Sequence, residues 1–548
     1  MDLIKKNIHM NRDKCKSSMS LTLDNDINVP DKKPDISYII REQGEIKMEE
    51  AKVSGGKALL SGSLYVNILY VTNDFGEKLE HMSGKIDFNE VVSMPDVCDG
   101  DNVYVKTELE DITTRLINSR KISVNAILKM NISADELFDE QAAVAVVSEN
   151  LVVTRETTNT ITELALCKKD TFRIKEEVSV AGGRDSIGEI LYQDVFLYET
   201  ELRMLDNKLS LKGEMGIYIL YYGAEGDRIN SYETTVNFDG VMDCNGCDET
   251  MIPEVHIAIN TKDIQVKADE DGEDRVLDIE VVLGLDMKVY REEEITFIAD
   301  MYCLDGKLTP IYSETMFDNL VVRNNSKARI NDVIKIEENK APILQMSGIT
   351  ATPKIDMQTI KDDGIELEGV IEVDMLYFAE DDKGIIAGYK GMIPFTHFVE
   401  ARGIEKDCVF DIVPQVSQIN ETVINQKEVD FKIGVSFDTI VFNKVKCNII
   451  TDYKIEDFEQ EDRKATIIGY IVKDGDTLWD VAKKFYVTKE KIMEINELES
   501  ENIKQGDKLL ICKCCISGIF DVHNTGISLK YSARIAVLWK TMNKKFLN

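Results

Sequence analysis

Apolar and polar residues alternate along most of this chain, and one alternating segment occurs three times. The copies are Gly62-Ser-Leu-Tyr-Val-Asn-Ile-Leu-Tyr70, Gly213-Glu-Met-Gly-Ile-Tyr-Ile-Leu-Tyr221 and Gly369-Val-Ile-Glu-Val-Asp-Met-Leu-Tyr377. A two-residue period that ends in Gly, Asp and Asn residues predicts a β-strand entering a hairpin. We expect the glycine of this strand to permit a bulge or a close backbone approach, and the tyrosine to occupy a half-buried position.

The copies recur at a spacing of about 150 residues, far longer than the period of roughly 20–50 residues in solenoid proteins, which indicates duplicated domains. A second pair of alternating segments follows each copy, within residues 111–130, 263–285 and 417–437. Strong two-residue periodicity with little helical pattern predicts all-β modules of the sandwich type. The predicted fold class is therefore mainly β, with three duplicated β-sandwich-like domains followed by a small α+β domain.

The pattern also predicts where the domains begin and end. The predicted boundaries are a mobile N-terminal segment at 1–30, β domains at 31–150, 160–305 and 315–450, an α+β module at 467–512, and a basic tail at 513–548. Residues 1–20 are expected to be mobile because they are polar, mixed in charge and terminal. We assign no function to the basic tail.

One acidic segment, Asp269-Glu-Asp-Gly-Glu-Asp274, is a candidate calcium loop. It lacks the Asp-x-Asp-x-Asp-Gly spacing that wraps a cation. It also falls where the other copies have the plain turns Asn118-Ser119-Arg120 and Asn425-Gln426-Lys427. We therefore expect an enlarged hairpin tip at this position.

Past residue 465 the pattern changes to a strand, two helices and a second strand. Thr477 precedes the first helix with Asp480 in the capping-box position, and Thr488 precedes the second helix. The apolar face of the first helix is formed by Leu478, Val481, Ala482 and Phe485. The two strands are expected at Tyr470–Val472 and Lys508–Ile511.

This module closely resembles a LysM domain. The matching motifs are Tyr-x-Val-x-x-Gly-Asp-Thr-Leu-Trp-x-x-Ala at 470–482, Ile-x-x-Ile-Asn at 492–496 and Ile-x-x-Gly-x-x-Leu-x-Ile at 503–511. The resemblance implies binding of N-acetylglucosamine-containing glycans by the loop after the first strand and the loop before the second. It implies that the partner- or glycan-binding residues are Asp474, Gly475, Asp476, Thr477, Leu478, Trp479, Asn496, Glu499, Ser500 and Ile503.

Three β repeats followed by one LysM-like module, with the lead-in Asn28-Val-Pro-Asp31 and Pro34-Asp35-Ile36, resemble a narrower family. It is the clostridial SipL type of spore-coat morphogenetic protein, which has three SPOCS domains and a C-terminal LysM domain. The resemblance implies a coat-assembly role in which the LysM domain binds the stage IV sporulation ATPase that polymerises around the forespore. It also implies other coat proteins as partners, and a cytoplasmic location on the mother-cell side, at the forespore surface and spore coat.

Composition narrows the classes of partner. The formal net charge of −34 argues against nucleic acid, because phosphate binding needs clustered Lys and Arg. Residues 1–20 hold no apolar run of the signal-peptide type, and the apolar runs are far shorter than the roughly 20 residues of a membrane helix. We therefore expect a cytosolic protein without membrane insertion. The 11 cysteines are mostly isolated, which does not favour a disulfide framework.

We find no catalytic motif, and we expect no enzymatic activity, no cofactor and no bound metal. The five histidines, His9, His81, His256, His397 and His523, occupy neither a repeated position nor a metal-binding spacing. The chain contains no phosphate-binding Gly-x-x-x-x-Gly-Lys-Ser/Thr loop and no Gly-x-Ser-x-Gly elbow. Cys244-Asn-Gly-Cys247 has the spacing of a redox pair or of half a zinc site. A structural role is favoured because no second pair follows it at a suitable spacing.

Alternatives remain open for the protein and for single residues. A cell-wall glycan-binding LysM protein would carry an export signal, and a wall hydrolase targeted by a LysM domain would carry catalytic residues. Trp479 either packs against the second LysM helix or anchors a partner interface, where Trp is enriched. Asp474, Asp476 and Thr477 either turn the chain and cap the helix or contact a partner.

Overall fold

The computed structural model describes residues 1–73, 77–99, 101–180, 184–226, 228–380, 386–457 and 466–513. The basic tail beyond Lys513, with Cys514, Cys515 and His523, lies outside these residues. The strands of the first repeat are β1 (Asp2–Asn28), β2 (Ile36–Ser54), β3 (Lys57–Thr72), β4 (Leu79–Ser93), β5 (Asn102–Asn118) and β6 (Lys121–Val147).

The other two repeats follow the same order of six strands. The second repeat has β7 (Val152–Ser179), β8 (Ile187–Leu205), β9 (Lys208–Gly223), β10 (Ile229–Asp243), β11 (Ile252–Ala268) and β12 (Asp274–Cys303). The third repeat has β13 (Gly306–Lys335), β14 (Ile343–Lys361), β15 (Gly364–Ala379), β16 (Ile386–Glu400), β17 (Val409–Asn425) and β18 (Glu428–Asp457).

Each repeat is built from two antiparallel three-stranded layers. In the first repeat the layers are β2-β3-β4 and β1-β6-β5, and the same pairings recur as β8-β9-β10 with β7-β12-β11 and as β14-β15-β16 with β13-β18-β17. A separate apolar core fills the space between the layers of each repeat. The predicted fold class, three duplicated β sandwiches, is confirmed.

The repeated Gly-x7-Tyr segment forms the middle strand of the β2-β3-β4 layer and of its two equivalents. Gly62 pairs with Phe88 across the sheet, and a Cβ at Gly62 would lie 2.6 Å from the Phe88 ring. The same glycine–phenylalanine pair occurs in the second and third repeats. The glycine therefore leaves room for an aromatic ring from the neighbouring strand, as the close-approach prediction required.

The tyrosine that ends the segment is more deeply buried than the sequence predicted. Tyr70, Tyr221 and Tyr377 are each 0 % exposed. Each hydroxyl donates to the backbone carbonyl 36 positions earlier in the chain, over 3.2, 3.3 and 3.0 Å. The ring fills the sandwich core while the hydroxyl bonds the segment that enters the sheet, so the polar atom is satisfied without reaching solvent.

The N-terminal segment, predicted to be mobile over residues 1–30, is instead strand β1. It pairs antiparallel with β6 from Asp2 opposite Val147 to Asn28 opposite Lys121. Its polar composition misled the prediction because only alternate residues, such as Ile8 at 0 % and Met10 at 5 % exposure, face an apolar core. Likewise, the second and third repeats begin at β7 and β13, before the predicted starts at residues 160 and 315.

The three β2-β3-β4-type layers pack on one another through their outer faces. Leu69 and Val71 of β3, Leu220 of β9 and Leu376 of β15 belong to one shared apolar cluster, which we call the head core. Arg41 of β2 is 5 % exposed beside this cluster. Its Nε lies 3.1 Å from Asp374 Oδ2, and its guanidinium lies over the Tyr192 ring. One buried cation thus joins all three repeats.

The long strands continue beyond the sandwiches as three two-stranded ribbons, which we call the stalk. Its ribbons are residues 2–13 with 136–147, 152–163 with 291–303, and 306–319 with 443–457. Their inner faces share a core of Ile8, Met10, Ala142, Ile161, Ile295, Phe297, Phe317 and Ile449. About 13 residues of strand span about 43 Å, so the stalk is a long three-ribbon element held by its own apolar core.

The candidate calcium segment forms the tip of the β11–β12 hairpin, as predicted. Asp269 Oδ1 accepts the backbone N–H of Asp271 at 3.0 Å. Asn118 and Asn425 accept the N–H two residues later in the corresponding hairpins, each at 2.9 Å. Asp269 therefore forms the side-chain-to-backbone turn that an asparagine forms in the other repeats.

The C-terminal module has the predicted order of strand, two helices and strand. Its elements are β19 (Thr466–Ile471), α1 (Leu478–Phe485), α2 (Lys489–Asn496) and β20 (Lys508–Lys513), with β19 and β20 antiparallel. The predicted caps are confirmed, because Thr477 and Asp480 form a capping box and Thr488 accepts the N–H of Lys491. Neither helix within the described part of the chain is long and apolar enough to cross a bilayer.

Candidate functional site: the LysM domain and its contact with the stalk

The turn between β19 and α1 is held by the side chain of Asp476. Asp476 Oδ2 accepts the backbone N–H of Lys473 at 2.9 Å and the Tyr470 hydroxyl at 2.5 Å. These hydrogen bonds lower the pKa of Asp476. Gly475 has a φ of 81°, a left-handed conformation that favours glycine. Asp476 and Gly475 therefore shape the loop, and Asp474 is left exposed at its surface.

Asn496 joins α2 to β20. Its Nδ2 donates to the carbonyls of Ile492 and Leu510, and its Oδ1 accepts the Leu510 N–H at 2.7 Å. Ile503 packs against the apolar core of the module. In the loop before β20 the exposed predicted residues are Glu499 and Ser500.

The ten residues implied by the LysM resemblance thus divide into three groups. Gly475, Asp476, Thr477, Leu478, Asn496 and Ile503 form the turn, the cap, the core and the helix–strand contact of the module. Asp474, Glu499 and Ser500 are exposed on the two loops. Trp479 alone forms the third group.

Trp479 contacts the stalk. It is 5 % exposed, and its indole Nε1 donates to Asp300 Oδ2 of β12 at 2.7 Å. Lys483, one turn later on α1, donates to Asp300 Oδ1 at 2.6 Å. One carboxylate of the second repeat therefore binds two side chains of the first LysM helix.

Aromatic and cationic groups complete this contact. The Tyr302 ring packs edge-on against Trp479 with centroids 5.1 Å apart, and its hydroxyl donates to the Val487 carbonyl at 2.8 Å. The Arg155 guanidinium lies 5.3 Å from the Trp479 ring. The LysM domain is thus fixed to the second repeat by an aromatic pair, a cation–π contact and charge-assisted hydrogen bonds.

The electrostatics of Asp300 follow from these partners. Burial alone would raise the pKa of Asp300. The hydrogen bonds from Lys483, Trp479 and Tyr312, together with the Lys483 charge, outweigh burial and hold the pKa below its usual value. The contact therefore contains a carboxylate that is stable in its charged form.

The sequence left two alternatives for Trp479, packing against the second LysM helix or anchoring a partner interface; in the structure the indole contacts the stalk and shares an apolar cluster with Ile492 of α2. The indole faces the stalk because a buried carboxylate and an aromatic ring are available there. Asp300, Tyr302 and Arg155 were not predicted as contact residues. A signal was present, since Asp300 is a lone charge in the apolar run from Phe297 to Leu304.

The Cys-x-x-Cys pair has a structural setting. Cys244 and Cys247 are buried at 0 % and 5 % exposure, and Cys247 N donates to Cys244 O at 3.1 Å. The same turn bond joins Met94 with Val97 and Ala401 with Ile404 in the other repeats, at 3.2 Å each. Burial raises the pKa of both thiols, which disfavours the reactive thiolate. The geometry supports the structural interpretation of this pair.

Comparisons with known proteins agree with this architecture. A family model described as SipL, SPOCS domain matches residues 35–117, 186–268 and 342–424, and a LysM domain model matches residues 470–511. Each SPOCS match runs from β2 to β5 or the equivalent strands, and leaves the two long stalk strands outside. Searches of the curated proteins and of the solved structures return no match.

The fold and these matches define a multidomain β protein that combines SPOCS domains with a LysM domain. More narrowly, the chain has the SipL-type architecture, with three SPOCS domains followed by a C-terminal LysM domain. This confirms the resemblance found in the sequence. The protein is therefore a sporulation- and coat-associated protein with a LysM module.

Proposed function

We propose that this protein is a non-enzymatic assembly protein of the spore coat, which binds the stage IV sporulation ATPase through its LysM domain. On this proposal it acts on the mother-cell side, at the forespore surface, and helps to localise and encase the coat. The observation that carries the proposal is the LysM domain fixed on the stalk, with both of its binding loops exposed.

The fixed position of the LysM domain supports a scaffold role. The three repeats share a head core and a stalk core, so their described residues form one continuous packed body. The Asp300 contacts then hold the LysM domain to that body. A scaffold built in this way would hold its docking module at a defined distance from the surfaces of the repeats.

The exposed loop residues are the proposed contact positions. Asp474, Glu499 and Ser500 are available for a partner, whereas Trp479 and Asn496 are engaged within the chain. Two of these three residues are acidic, which favours a partner surface that presents Lys or Arg to the loops. On this proposal the partner contact is made by the loops, and α1 faces the stalk.

A pull-down with the stage IV sporulation ATPase tests the docking step. The full chain should retain the ATPase, and a chain lacking residues 467–512 should lose it while keeping the β circular-dichroism signal of the repeats. An Asp474→Lys, Glu499→Lys double variant should bind at least tenfold more weakly. The charge-matched control is a Glu270→Lys, Asp271→Lys double variant at an exposed hairpin tip, which should bind normally. Undiminished binding after the deletion would contradict the proposal.

The LysM match also supports a second candidate, binding of cell-wall glycan containing N-acetylglucosamine. Sedimentation with purified peptidoglycan separates the two functions. Under the main proposal the chain stays in the supernatant under conditions in which it retains the ATPase. Cosedimentation that the Asp474→Lys, Glu499→Lys variant abolishes would favour the glycan-binding function instead.

A further inference from the structure

A cavity of about 1380 Å³ lies where the three repeats meet between the head and the stalk. The third residue of β5, β11 and β17 lines it in each case, and these structurally equivalent residues are Tyr104, Glu254 and Asp411. Duplication thus brings one side chain from each repeat to a common space. Two of the three are carboxylates, from the second and third repeats.

A histidine joins the two carboxylates. His256 is two residues after Glu254 on β11, and alternate residues of a strand share one face. His256 Nε2 lies 3.5 Å from Asp411 Oδ2 and 3.9 Å from Glu254 Oε1. One ligand atom of each residue lies within 4.8 Å of the other two. The group therefore combines one imidazole and two carboxylates from two repeats.

These separations are longer than good hydrogen bonds, which join N and O atoms at roughly 2.7–3.2 Å. They are close to the spacing of ligands around a metal ion. Two ligand atoms, each about 2.1 Å from an ion at a tetrahedral angle, lie about 3.4 Å apart. The His256–Asp411 separation of 3.5 Å matches this spacing and the His256–Glu254 separation of 3.9 Å is somewhat longer, so the three groups lie within reach of one ion.

The surroundings hold one ligand in place. The Tyr290 hydroxyl donates to Glu254 Oε2 at 2.8 Å, which leaves Oε1 on the side of His256. The nearby Lys288 ammonium is bound to Asp135 at 2.7 Å. A cation bound between Glu254 and Asp411 would offset the repulsion between their two carboxylates.

Two other places in the chain resemble the group of Glu254, His256 and Asp411. At Tyr104, the equivalent position in the first repeat, the ammonium groups of Lys288 and Lys169 lie 4.8 and 5.0 Å from the ring centroid. A second candidate group, Glu80, His81 and Glu189, already has Lys33 Nζ at 2.6 Å from Glu80 and 3.8 Å from Glu189. Protein cations thus occupy both comparable places.

We propose that Glu254, His256 and Asp411 bind a divalent transition-metal cation that ties the second repeat to the third. An imidazole with two carboxylates suits Mn²⁺ or Zn²⁺ better than Ca²⁺, which takes oxygen ligands. The remaining coordination positions face the cavity, where water completes the shell. The site is independent of the LysM docking and of its partner.

Mn²⁺ is the probe of choice, because thiolates of the 11 cysteines select softer ions. The experiment titrates the full chain with Mn²⁺ and measures the free ion by electron paramagnetic resonance. One ion should bind per chain, and Mn²⁺ should raise the thermal unfolding midpoint relative to the protein in a chelator. His256→Gln and Asp411→Asn should each weaken binding about tenfold or more.

The matched control is His81→Gln, which should bind Mn²⁺ as the wild type does. His256 is an exposed strand residue, so His256→Gln should keep the unfolding midpoint that the wild type has in chelator. Unchanged Mn²⁺ affinity in both His256→Gln and Asp411→Asn would overturn the assignment. So would the absence of binding by the wild type at millimolar Mn²⁺, or an equal loss in His81→Gln.

Discussion

The Trp479 indole donates to the Asp300 carboxylate across 2.7 Å, although the two residues are 179 positions apart in the chain. The LysM domain follows the third repeat in sequence, yet its first helix is fixed to the stalk strand of the second. Its position is therefore set by tertiary contacts with the second repeat.

Removal of the Asp300 carboxylate should release the LysM domain from the stalk. In Asp300→Ala the Lys483 ammonium and the Trp479 N–H lose their shared acceptor, and breaking a buried ion pair costs about 3–5 kcal/mol. Hydrogen exchange should become faster in α1 and around Tyr302 at the end of β12, with the rest of the repeats unchanged. Asp271→Ala, at an exposed hairpin tip, should leave these exchange rates as they are. Unchanged protection in Asp300→Ala would mean that Asp300 does not hold the domain.

The same contact should depend on pH in a defined direction. Because the pKa of Asp300 is lowered in the folded state, its charged form stabilises the docked state above the ordinary aspartate pKa of about 3.9. This stabilisation is lost as the pH falls through the lower folded-state pKa. The stability difference between wild type and Asp300→Asn should be constant above about pH 5 and should shrink below about pH 4. Urea unfolding followed by hydrogen exchange in α1 measures this stability difference. A difference that grows on acidification would contradict the stabilising role of the Asp300 carboxylate.

Arg41 should be a major stabilising residue of the head. Arg41→Met removes the buried cation beside the half-buried carboxylate of Asp374, and breaking a buried ion pair costs about 3–5 kcal/mol. Urea denaturation monitored by circular dichroism should show a lower midpoint. Arg402→Met is the matched control, because the Arg402 side chain is 85 % exposed and lies 4.0 Å from Glu400. Surface ion pairs contribute about 0–1 kcal/mol, so equal effects of the two substitutions would argue against the role of Arg41.

Strand β1 offers a test of order at the N-terminus. Ile8→Asp places a charge in the stalk core, where Ile8 is 0 % exposed, and should destabilise the stalk by more than about 3 kcal/mol. The neighbouring Asn7 is exposed, so Asn7→Asp should change stability by less than about 0.5 kcal/mol. Hydrogen exchange of β1 and β6 should report the difference. A mobile segment would tolerate both substitutions equally.

The sequence predicted the sandwich repeats well where the signal is local. The Gly-x7-Tyr strand, the Asn118 turn and the Thr477 cap each depend on residues a few positions apart. Strand β1 was missed because its partner, β6, lies far along the chain, from Asn28 opposite Lys121 to Asp2 opposite Val147, and pairing converts a polar segment into sheet. The depth of Tyr70 was also underestimated, since its ring lies in a core completed by residues such as Val124 and Leu128 of β6, which lies far along the chain.

In the candidate site, too, local features were predicted and contacts between distant residues were not. The LysM loops and caps follow from a contiguous motif, and the structure places them as expected. The contact of Trp479 with Asp300 and the convergence of His256 with Asp411 arise only after the repeats pack. The convergence of His256 with Asp411 had one signal in the sequence. Glu254 and Asp411 occupy equivalent positions in the second and third repeats.

The pairing of the first strand with the last in every repeat has a consequence for synthesis. Asp2 pairs with Val147, Val152 with Cys303 and Gly306 with Asp457. At roughly 5–20 residues per second, a ribosome takes on the order of ten seconds to make each missing partner. Strand β6, the partner of β1, is synthesised before β12 and β18. Vectorial translation thus lets β1 meet its own partner before any competing copy exists.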